Sequence, residues 1–259
     1  MEILFIGDIV GRPGRDFLND SLETLIYSND IDFVIANGEN AAGGFGLTHQ
    51  TAGDLYDCGI DAITLGNHAF AKRDSWRELG EDKRIARPAN YPPNTPGSGY
   101  QIFPLRSGNT IAVVNLVGRV FMLPVDCPFR TVDTVLQEIG NQAVNIIVDI
   151  HAEATSEKVA MGWYLDGRVS AVIGTHTHIQ TSDDRILPRG TAYMTDAGMT
   201  GVVDGVLGMD KDVVVQRFIT QINGKLTLGE GRCELQGVII STDNSGKAVA
   251  TKRVRVDGG

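Results

Sequence analysis

Residues 33–40 read FVIANGEN, an apolar segment that ends in two amides, a glycine and a carboxylate. The same change from apolar to polar residues follows the segments Glu2–Gly7 and Asp61–Leu65, and helical patterns at Arg15–Tyr27 and Thr48–Cys58 separate the three segments. This β-α-β-α-β order predicts an α/β layered fold in which at least part of the sheet is parallel.

The rest of the chain adds further predicted elements and ends in a β-rich section. We predict a helix at Arg130–Gln142 and strands at Tyr100–Leu105, Thr110–Leu116, Val144–Ile150, Val169–Gly174, Thr191–Met194, Lys225–Leu228, Arg232–Ser241 and Lys247–Val256. Turn residues at Ser107–Asn109 and Asp243–Gly246 predict hairpins. No repeat or low-complexity linker divides the chain, so we expect residues 1–259 to form a single domain.

Composition excludes several broad classes of function. The 259 residues carry a formal net charge of −9 with no run of Lys and Arg, so general nucleic-acid binding is not expected. An apolar run of about twenty residues, which a membrane-spanning helix requires, is absent from the sequence. The three cysteines are scattered without a CxxC pair, which is typical of free thiols in a reducing compartment, so we expect a cytoplasmic protein.

Residues able to bind metal follow most of the predicted strands. Ligands in layered α/β proteins bind at the carboxyl ends of the strands, where neighbouring strand ends share one rim. Four of the five histidines in the chain fall at such positions. The residues on this predicted rim are Asp8, Glu39, Asn40, Asn67, His68, His151, His176 and His178.

Each of these residues also has a purely structural interpretation. Asp8 can cap a helix, Asn67-His68 can form a tight turn, and His151 can be a hydrogen-bonded core histidine. The pair His176 and His178 is harder to explain that way, because on extended backbone both rings can reach the same small volume. Together the two carboxylates, two amides and four imidazoles predict a metal site.

The ligand types favour particular metals. Carboxylate, amide and imidazole donors suit two divalent or mixed-valence transition metal ions, with iron or manganese preferred and zinc also compatible, and the cysteine placement excludes a thiolate-rich zinc site. Seven candidate ligands suit two ions that share a carboxylate, and two such ions can hold a bridging hydroxide for attack on a phosphoryl centre. Two divalent ions also outweigh the charges of Asp8 and Glu39, so this site would attract phosphate despite the acidic surface.

The order of these motifs resembles that of the calcineurin-like metallophosphoesterases. The matching blocks are Gly7-Asp8, Gly66-Asn67-His68, His151 and Gly174-Thr175-His176-Thr177-His178, and they span most of the chain. Two blocks depart from the pattern: Val10 replaces the histidine of the usual DxH block, and Glu39-Asn40 replaces the usual bridging aspartate. Both departures resemble the YmdB-like bacterial phosphodiesterases, whose members carry a GEN block before a glycine-rich stretch.

This resemblance implies a fold, a reaction and a role for each residue. It implies a four-layer α/β/β/α sandwich that hydrolyses small phosphodiesters, with cyclic nucleotides such as 2′,3′-cyclic AMP as substrates. The first ion would be held by Asp8, Glu39, Asn40 and His178, and the second by Glu39, Asn67, His151 and His176. His68 would protonate the leaving oxygen or stabilise charge on the phosphoryl group. The resemblance does not assign substrate-binding residues.

Some residues and functions have competing interpretations. Arg12 and Arg15 could contact phosphate, but a helix start is favoured. Asp196 is predicted to orient a metal-bound histidine, and His49 to be an exposed surface residue. Trp76 and Trp163 are interpreted as core or interface residues, with base stacking as the alternative. A phosphomonoesterase and a metal-bearing regulatory partner in nucleotide or RNA processing are the alternative functions, and the chain could form a homo-oligomer.

Overall fold

Two β-sheets lie face to face in the computed structural model, which describes residues 1–73, 76–105 and 108–258. In chain order the strands are β1 (Glu2–Ile6), β2 (Asp8–Ile9), β3 (Phe33–Asn37), β4 (Ala62–Thr64), β5 (Ile85–Ala86), β6 (Tyr100–Pro104), β7 (Thr110–Val117), β8 (Asn145–His151), β9 (Ala171–Thr175), β10 (Arg185–Ile186), β11 (Ala192–Met194), β12 (Met199–Val202), β13 (Cys233–Thr242) and β14 (Ala248–Asp257). The helices are α1 (Gly11–Ser28), α2 (His49–Asp57), α3 (Trp76–Glu81), α4 (Pro128–Ile139), α5 (Thr155–Leu165) and α6 (Lys211–Thr220).

The first sheet has the order β2-β12-β13-β1-β3-β4-β5, and β14 pairs with β13. Strands β1, β3, β4 and β5 run parallel, whereas β13 runs antiparallel to β1. Strands β1 and β12 pair with successive stretches of β13, so the chain leaves β13 after Ile6 and β2 pairs with β12 instead. This change of partner places Asp8 just beyond the carboxyl end of β1, at the start of β2.

The second sheet has the order β10-β11-β9-β8-β7-β6. Strands β7, β8, β9 and β11 are parallel, and β6 and β10 add antiparallel edges. The carboxyl ends of β8 and β9 therefore lie side by side, with His151 opposite Thr175 in the register.

Alternating side chains on the strands build the layers of the molecule. In β1, Ile3 and Phe5 point into the core between the sheets, while Leu4 and Ile6 pack on the helix side. In β8, Ile147 enters the same inter-sheet core and Val148 packs against the outer helices. The result is a four-layer α/β/β/α sandwich, and the predicted fold class is confirmed.

The element predictions hold for most strands but fail at one predicted strand. The hairpin at β6 and β7 and the turn at Asp243–Gly246 are present, although Ser107 of the first predicted turn lies outside the described residues. The segment Lys225–Leu228 is a loop, and only Leu228 forms an isolated bridge, to Met209. Its alternating leucines pack with Met209 and Val214 beside α6 instead of joining a sheet.

Helices α5 and α6 were not predicted. None of the helices in the described part of the chain is long and apolar enough to cross a membrane.

Candidate metal centre and active site

The residues predicted to form the rim come together where the ends of the two sheets meet. The first sheet and the loops that follow its strands supply Asp8, Glu39, Asn40, Asn67 and His68, and the second sheet supplies His151, His176 and His178. Asp8, Glu39 and His151 are fully buried, and Asn40 is 3% exposed. Polar groups buried this deeply require partners.

Three potential ligand atoms converge on His151. Its Nε2 atom lies 2.9 Å from Glu39 Oε1 and 3.0 Å from Asn67 Oδ1. His176 Nδ1 lies 2.9 Å from the same nitrogen. Glu39 Oε1 is buried and makes no hydrogen bond among the described residues. One ligand atom each of Glu39, His151 and His176 lies within 4.8 Å of the others, a spacing that could hold a metal ion.

A buried chain of hydrogen bonds orients the His151 ring. The Thr175 hydroxyl donates to Asp149 Oδ1 at 2.6 Å, so its oxygen accepts from His151 Nδ1 at 2.9 Å. This arrangement places the ring proton on Nδ1 and leaves the Nε2 lone pair for a cation. Burial raises the pKa of Asp149 to about 6.

Glu153 orients the second imidazole in a similar way. Glu153 Oε2 lies 3.2 Å from His176 Nε2, so a proton on Nε2 is held by this carboxylate and Nδ1 faces His151. Burial lowers the pKa of His176 to about 4, so the ring is neutral at pH 7. Glu153 was not among the predicted residues.

The second group of candidate ligands centres on Asp8. His178 Nε2 lies 3.5 Å from Asp8 Oδ1, and the Asn40 amide nitrogen lies 3.4 Å from the same oxygen and 3.2 Å from His178 Nε2. His178 Nδ1 donates to the Leu207 carbonyl at 3.2 Å, which leaves Nε2 free to bind a cation. Half a rotation of the Asn40 amide would turn its oxygen toward Asp8 and His178.

The turn that carries His176 and His178 is left-handed, not extended. His176 has a φ of 97° and His178 a φ of 63°, a region that costs about 1–3 kcal/mol for non-glycine residues. Side chains hold both peptides in place: His176 N donates to Asp8 Oδ2 at 3.0 Å, and Thr177 N donates to Asp196 Oδ2 at 3.1 Å. The expectation of extended backbone was wrong, because buried carboxylates stabilise the tighter turn.

Asp196 acts on this turn and not on an imidazole. Its Oδ2 accepts from the Thr177 hydroxyl and from Lys158 Nζ, each at 2.7 Å, and its Oδ1 accepts from Gly198 N. Both Lys158 and Asp196 are almost fully buried. Among the described contacts Asp196 makes no hydrogen bond to the rings of His176 or His178, so the prediction that it orients one of these rings was wrong.

His68 lies at the mouth of the site. Its backbone N donates to Glu39 Oε2 at 2.8 Å, and its Nδ1 lies 2.9 Å from Asn40 Oδ1. The side chain is 32% exposed, and burial lowers its pKa below the ordinary value of 6.5. The Phe45 ring meets it edge-on, with centroids 5.0 Å apart.

The buried charges of the site favour a cation. Burial raises the pKa of Glu39, but the neighbouring His151 more than offsets this and lowers it overall. Burial alone would lower the pKa of His151, but the Glu39 carboxylate outweighs this effect and raises the pKa to about 9. For His178, burial is outweighed by Asp8, and the pKa rises. Without an ion, protons on these histidines balance the carboxylates, and metal binding would replace them.

The donor set therefore fits a transition metal centre. Lone pairs on carboxylate, amide and imidazole atoms face one another in a buried volume, and one carboxylate oxygen lacks a partner there. The absence of cysteine from the site agrees with the exclusion of thiolate-rich zinc.

The remaining predictions concern residues at the edge of the site. Arg12 lies in the first turn of α1 and pairs with Asp16, whereas Arg15 donates to the Ala41 carbonyl and supports the loop after Glu39. The structure therefore favours the helix-start interpretation. His49 begins α2 and is exposed, as predicted.

The two tryptophans lie at the surface. Trp76 is 42% exposed and Trp163 53% exposed, so neither belongs to the core. Neither side chain lines the cavity at the candidate site. The core interpretation was wrong, and the interface interpretation stays a prediction.

Comparison with known proteins identifies the family. The model of the YmdB-like proteins matches residues 4–254. The chain belongs to the YmdB-like family. A 2′,3′-cyclic-nucleotide 2′-phosphodiesterase of Bacillus subtilis (strain 168) is 47% identical over 99% of this chain and 97% of its own length. A protein of Mycoplasma pneumoniae named putative phosphatase/phosphodiesterase is 32% identical over 99% of this chain and 93% of its own length.

Solved structures agree with this assignment. A hypothetical protein from Thermus thermophilus superposes with a TM-score of 0.94 and 39% identity over the full length of both chains. A phosphatase from Mycoplasma pneumoniae superposes equally well, with 30% identity over 99% of this chain and 93% of its own. A 5′-nucleotidase precursor from Thermus thermophilus, at 13% identity and a TM-score of 0.55, shares the fold. The YmdB-like chain is a phosphoric ester hydrolase, the enzyme class that the sequence predicted.

Proposed function

We propose that this protein is a dinuclear metal-dependent phosphodiesterase that hydrolyses 2′,3′-cyclic nucleotides or other small phosphodiesters. The observation that carries the proposal is the convergence of Glu39 Oε1, Asn67 Oδ1 and His176 Nδ1 within 3.0 Å of His151 Nε2. Lone pairs this close in a buried site need positive charge among them, which protons supply when no metal is bound and a metal ion would supply when it is. The name of the Bacillus subtilis relative supports the substrate class.

Two groups of side chains would hold the ions. Asp8, Glu39, Asn40 and His178 would bind one ion, and Glu39, Asn67, His151 and His176 the other, with iron or manganese preferred and zinc compatible. The carboxylate of Glu39 would contribute to both groups. Its Oε1 atom lies 2.9 Å from His151 Nε2 on one side and 3.6 Å from His68 Nδ1, beside Asn40, on the other. When bound, the ions would supply Lewis-acid activation of the phosphoryl oxygens and a nucleophile at neutral pH.

His68 would protonate the leaving oxygen or stabilise the charge on the phosphoryl group. Binding of an ion through Asn40 Oδ1 would turn the amide nitrogen of Asn40 toward His68 Nδ1, which lies 2.9 Å from this amide. Nδ1 would then accept a hydrogen bond, and the ring proton would move to Nε2. Nε2 makes no hydrogen bond among the described residues, and the ring lines the cavity. A neutral His68 could therefore donate to the substrate even with its lowered pKa.

The test follows 2′,3′-cyclic AMP by phosphorus NMR with protein loaded with manganese or iron. We expect the wild type to produce a nucleoside monophosphate and His68→Ala to turn over at least about 100-fold more slowly, with metal content unchanged. His49→Ala, an exposed histidine outside the site, is the matched control and should retain full activity. Wild-type protein that holds two metals and leaves the cyclic nucleotide intact would contradict the proposal. Loss of metal in His68→Ala would place His68 among the ligands.

Phosphomonoesterase activity is the second candidate, because the Mycoplasma pneumoniae relative is named both phosphatase and phosphodiesterase. The same NMR experiment separates the two activities. A monoester that accumulates indicates a diesterase alone, whereas inorganic phosphate released after the monoester indicates both reactions.

A further inference from the structure

A cavity of about 610 Å³ opens beside the candidate metal centre. Its inner surface is formed by site residues, including Glu39, His68 and His178. Its outer wall comes from residues 206–226, which include α6 and the loop after it. The hydrolysis proposed above uses the inner surface only, and the outer wall has no assigned role. The volume falls within the range of about 300–1,000 Å³ typical of small-molecule sites.

Apolar side chains form most of the outer wall. Phe45 packs edge-on against His68, and the Leu207 carbonyl accepts from His178 Nδ1. The side chains of Val206, Leu207, Met209, Val214, Phe218 and Leu226 continue the apolar surface away from the site. A substrate whose phosphate reaches the histidines would therefore place much of the rest of its body against apolar groups.

The turn at Leu207 contains a non-glycine residue in the left-handed backbone region, which costs energy. Val206 and Met209 exchange backbone hydrogen bonds around Leu207 and Gly208, which have φ values of 54° and 85°. Such two-residue turns favour Asn-Gly or Gly-Gly, and a leucine in the left-handed region is strained. This leucine is also 41% exposed, so burial does not explain its presence. Its side chain lines the cavity.

Phe218 offers a flat aromatic surface in the same wall. It lies in the last turn of α6, lines the cavity and is 74% exposed. Polar groups accompany it: Arg217 and Asn223 line the cavity, and their side chains form no hydrogen bond or ion pair among the described residues. An aromatic face next to free donors is the combination that binds a nucleobase, by stacking on its ring and hydrogen bonding to its edge.

We propose that this wall is the nucleobase subsite of the enzyme, with the base against Phe218, Leu207 and Phe45 and its polar edge toward Arg217 and Asn223. The proposal rests on the proposed function, because it assumes that the phosphate lies at the histidines. Stacking tolerates every base, so the subsite selects nucleotides over base-free phosphodiesters without strong preference among bases.

Kinetics with two cyclic diesters tests the subsite. The substrates are 2′,3′-cyclic AMP and glycerol 1,2-cyclic phosphate, which has the same five-membered ring ester and no base. We expect Phe218→Ala to lower kcat/KM about tenfold for the nucleotide and to leave the glycerol ester unchanged. Phe121→Ala removes another exposed phenylalanine, 90% accessible and outside the cavity, and should alter neither substrate. Equal effects on both substrates, or no effect on either, would overturn the proposal.

A binding measurement tests the nucleobase subsite independently of turnover. Calorimetry on the metal-loaded protein compares 3′-AMP with inorganic phosphate, and Phe218→Ala should weaken only the nucleotide, again about tenfold. If the wild type hydrolyses neither ester, the proposed function fails, yet the binding result still supports or rejects the subsite. Equal affinities of wild type and variant for 3′-AMP would reject it.

Light scattering tests whether this surface is instead an interface between two copies of the chain. Val215, Ile219 and Ile222 near Phe218 are also exposed. A fall in molecular mass of Phe218→Ala, together with equal loss on both substrates, would show that the face joins two copies of the chain and would overturn the base subsite.

Discussion

Gly66 shows how closely the residues of the candidate site are packed. A Cβ atom at this position would lie within 2.5 Å of Glu39 Oε2 and against the ring of His151. Both neighbours are fully buried, so neither can move away without exposing or displacing a charged group. A residue with no side chain is therefore required next to the metal ligands.

We expect Gly66→Ala to displace Glu39 or His151 and to weaken metal binding about 10- to 100-fold, the range seen when groups that support metal ligands are altered. Metal content after dialysis against a graded chelator measures the effect. Gly53→Ala in α2 is the matched control, because a Cβ there meets no atom within 4 Å. It should bind metal normally and stabilise the helix by up to about 1 kcal/mol. Equal metal affinity in the two variants would show that Gly66 is not sterically required.

At this scale the sequence indicates the residue types of the site but not the contacts that orient them. Asp8, Glu39 and His151 were predicted because each follows an apolar strand. Glu153 and Leu207 were not, although each bonds the ring of a candidate ligand. Glu153 follows His151 by two positions, a weak signal, whereas Leu207 reaches His178 only through its backbone carbonyl. Such contacts depend on the tertiary fold and leave no residue-type pattern.

Among the elements, β13 and β14 carry a buried charge that ties the hairpin together. Glu234 on β13 is fully buried and accepts two hydrogen bonds from the Arg255 guanidinium on β14, at 2.7 and 2.8 Å. These bonds lower the pKa of Glu234 below its ordinary value of 4.5. The folded state therefore binds the proton more weakly than the unfolded state does.

The contribution of Glu234 to stability should consequently be complete above pH 4.5 and disappear as the pH falls through the lowered pKa. We expect Glu234→Gln to lower the free energy of unfolding at pH 7, and the difference from wild type to shrink as the pH falls below 4.5. Urea unfolding across that range measures it. Glu23→Gln, on the exposed surface of α1, should show no such convergence. A constant difference at every pH would mean that ionised Glu234 is not the stabilising species.

The elements that prediction missed have physical causes. In α5, Glu157 and Lys158 are buried on the inner face, Glu157 accepting from backbone N of Arg119 and Val120, and Lys158 paired with Asp196. Charged residues on the inner face break the apolar periodicity that identifies a helix. The loop after α6 shows the opposite error: its alternating apolar residues have the pattern of a strand, so a strand was predicted where none forms.

For the whole molecule, the decisive feature is that both sheets contribute to one site. Asp8, Glu39 and Asn67 come from the first sheet, and His151 and His176 from the second. Local patterns predicted parallel strands with shared rims, but the placement of one sheet against the other came from the family resemblance. Packing between the sheets involves residues far apart in sequence, such as Phe5 and Ile147, and no local periodicity encodes it.

Metal binding should therefore stabilise the entire fold, since an ion held by both sheets is lost when they separate. At manganese concentrations about 100-fold above the dissociation constant, linkage adds about 2.7 kcal/mol to the free energy of unfolding. For a chain of this size we expect the midpoint of thermal unfolding to rise by roughly 5–10 °C. Calorimetric scans of chelator-treated protein with increasing manganese measure the shift. Glu39→Gln should abolish it, because Glu39 would contribute to both ions, whereas Glu23→Gln should retain it. A shift of equal size in Glu39→Gln would place the stabilising ion elsewhere on the molecule.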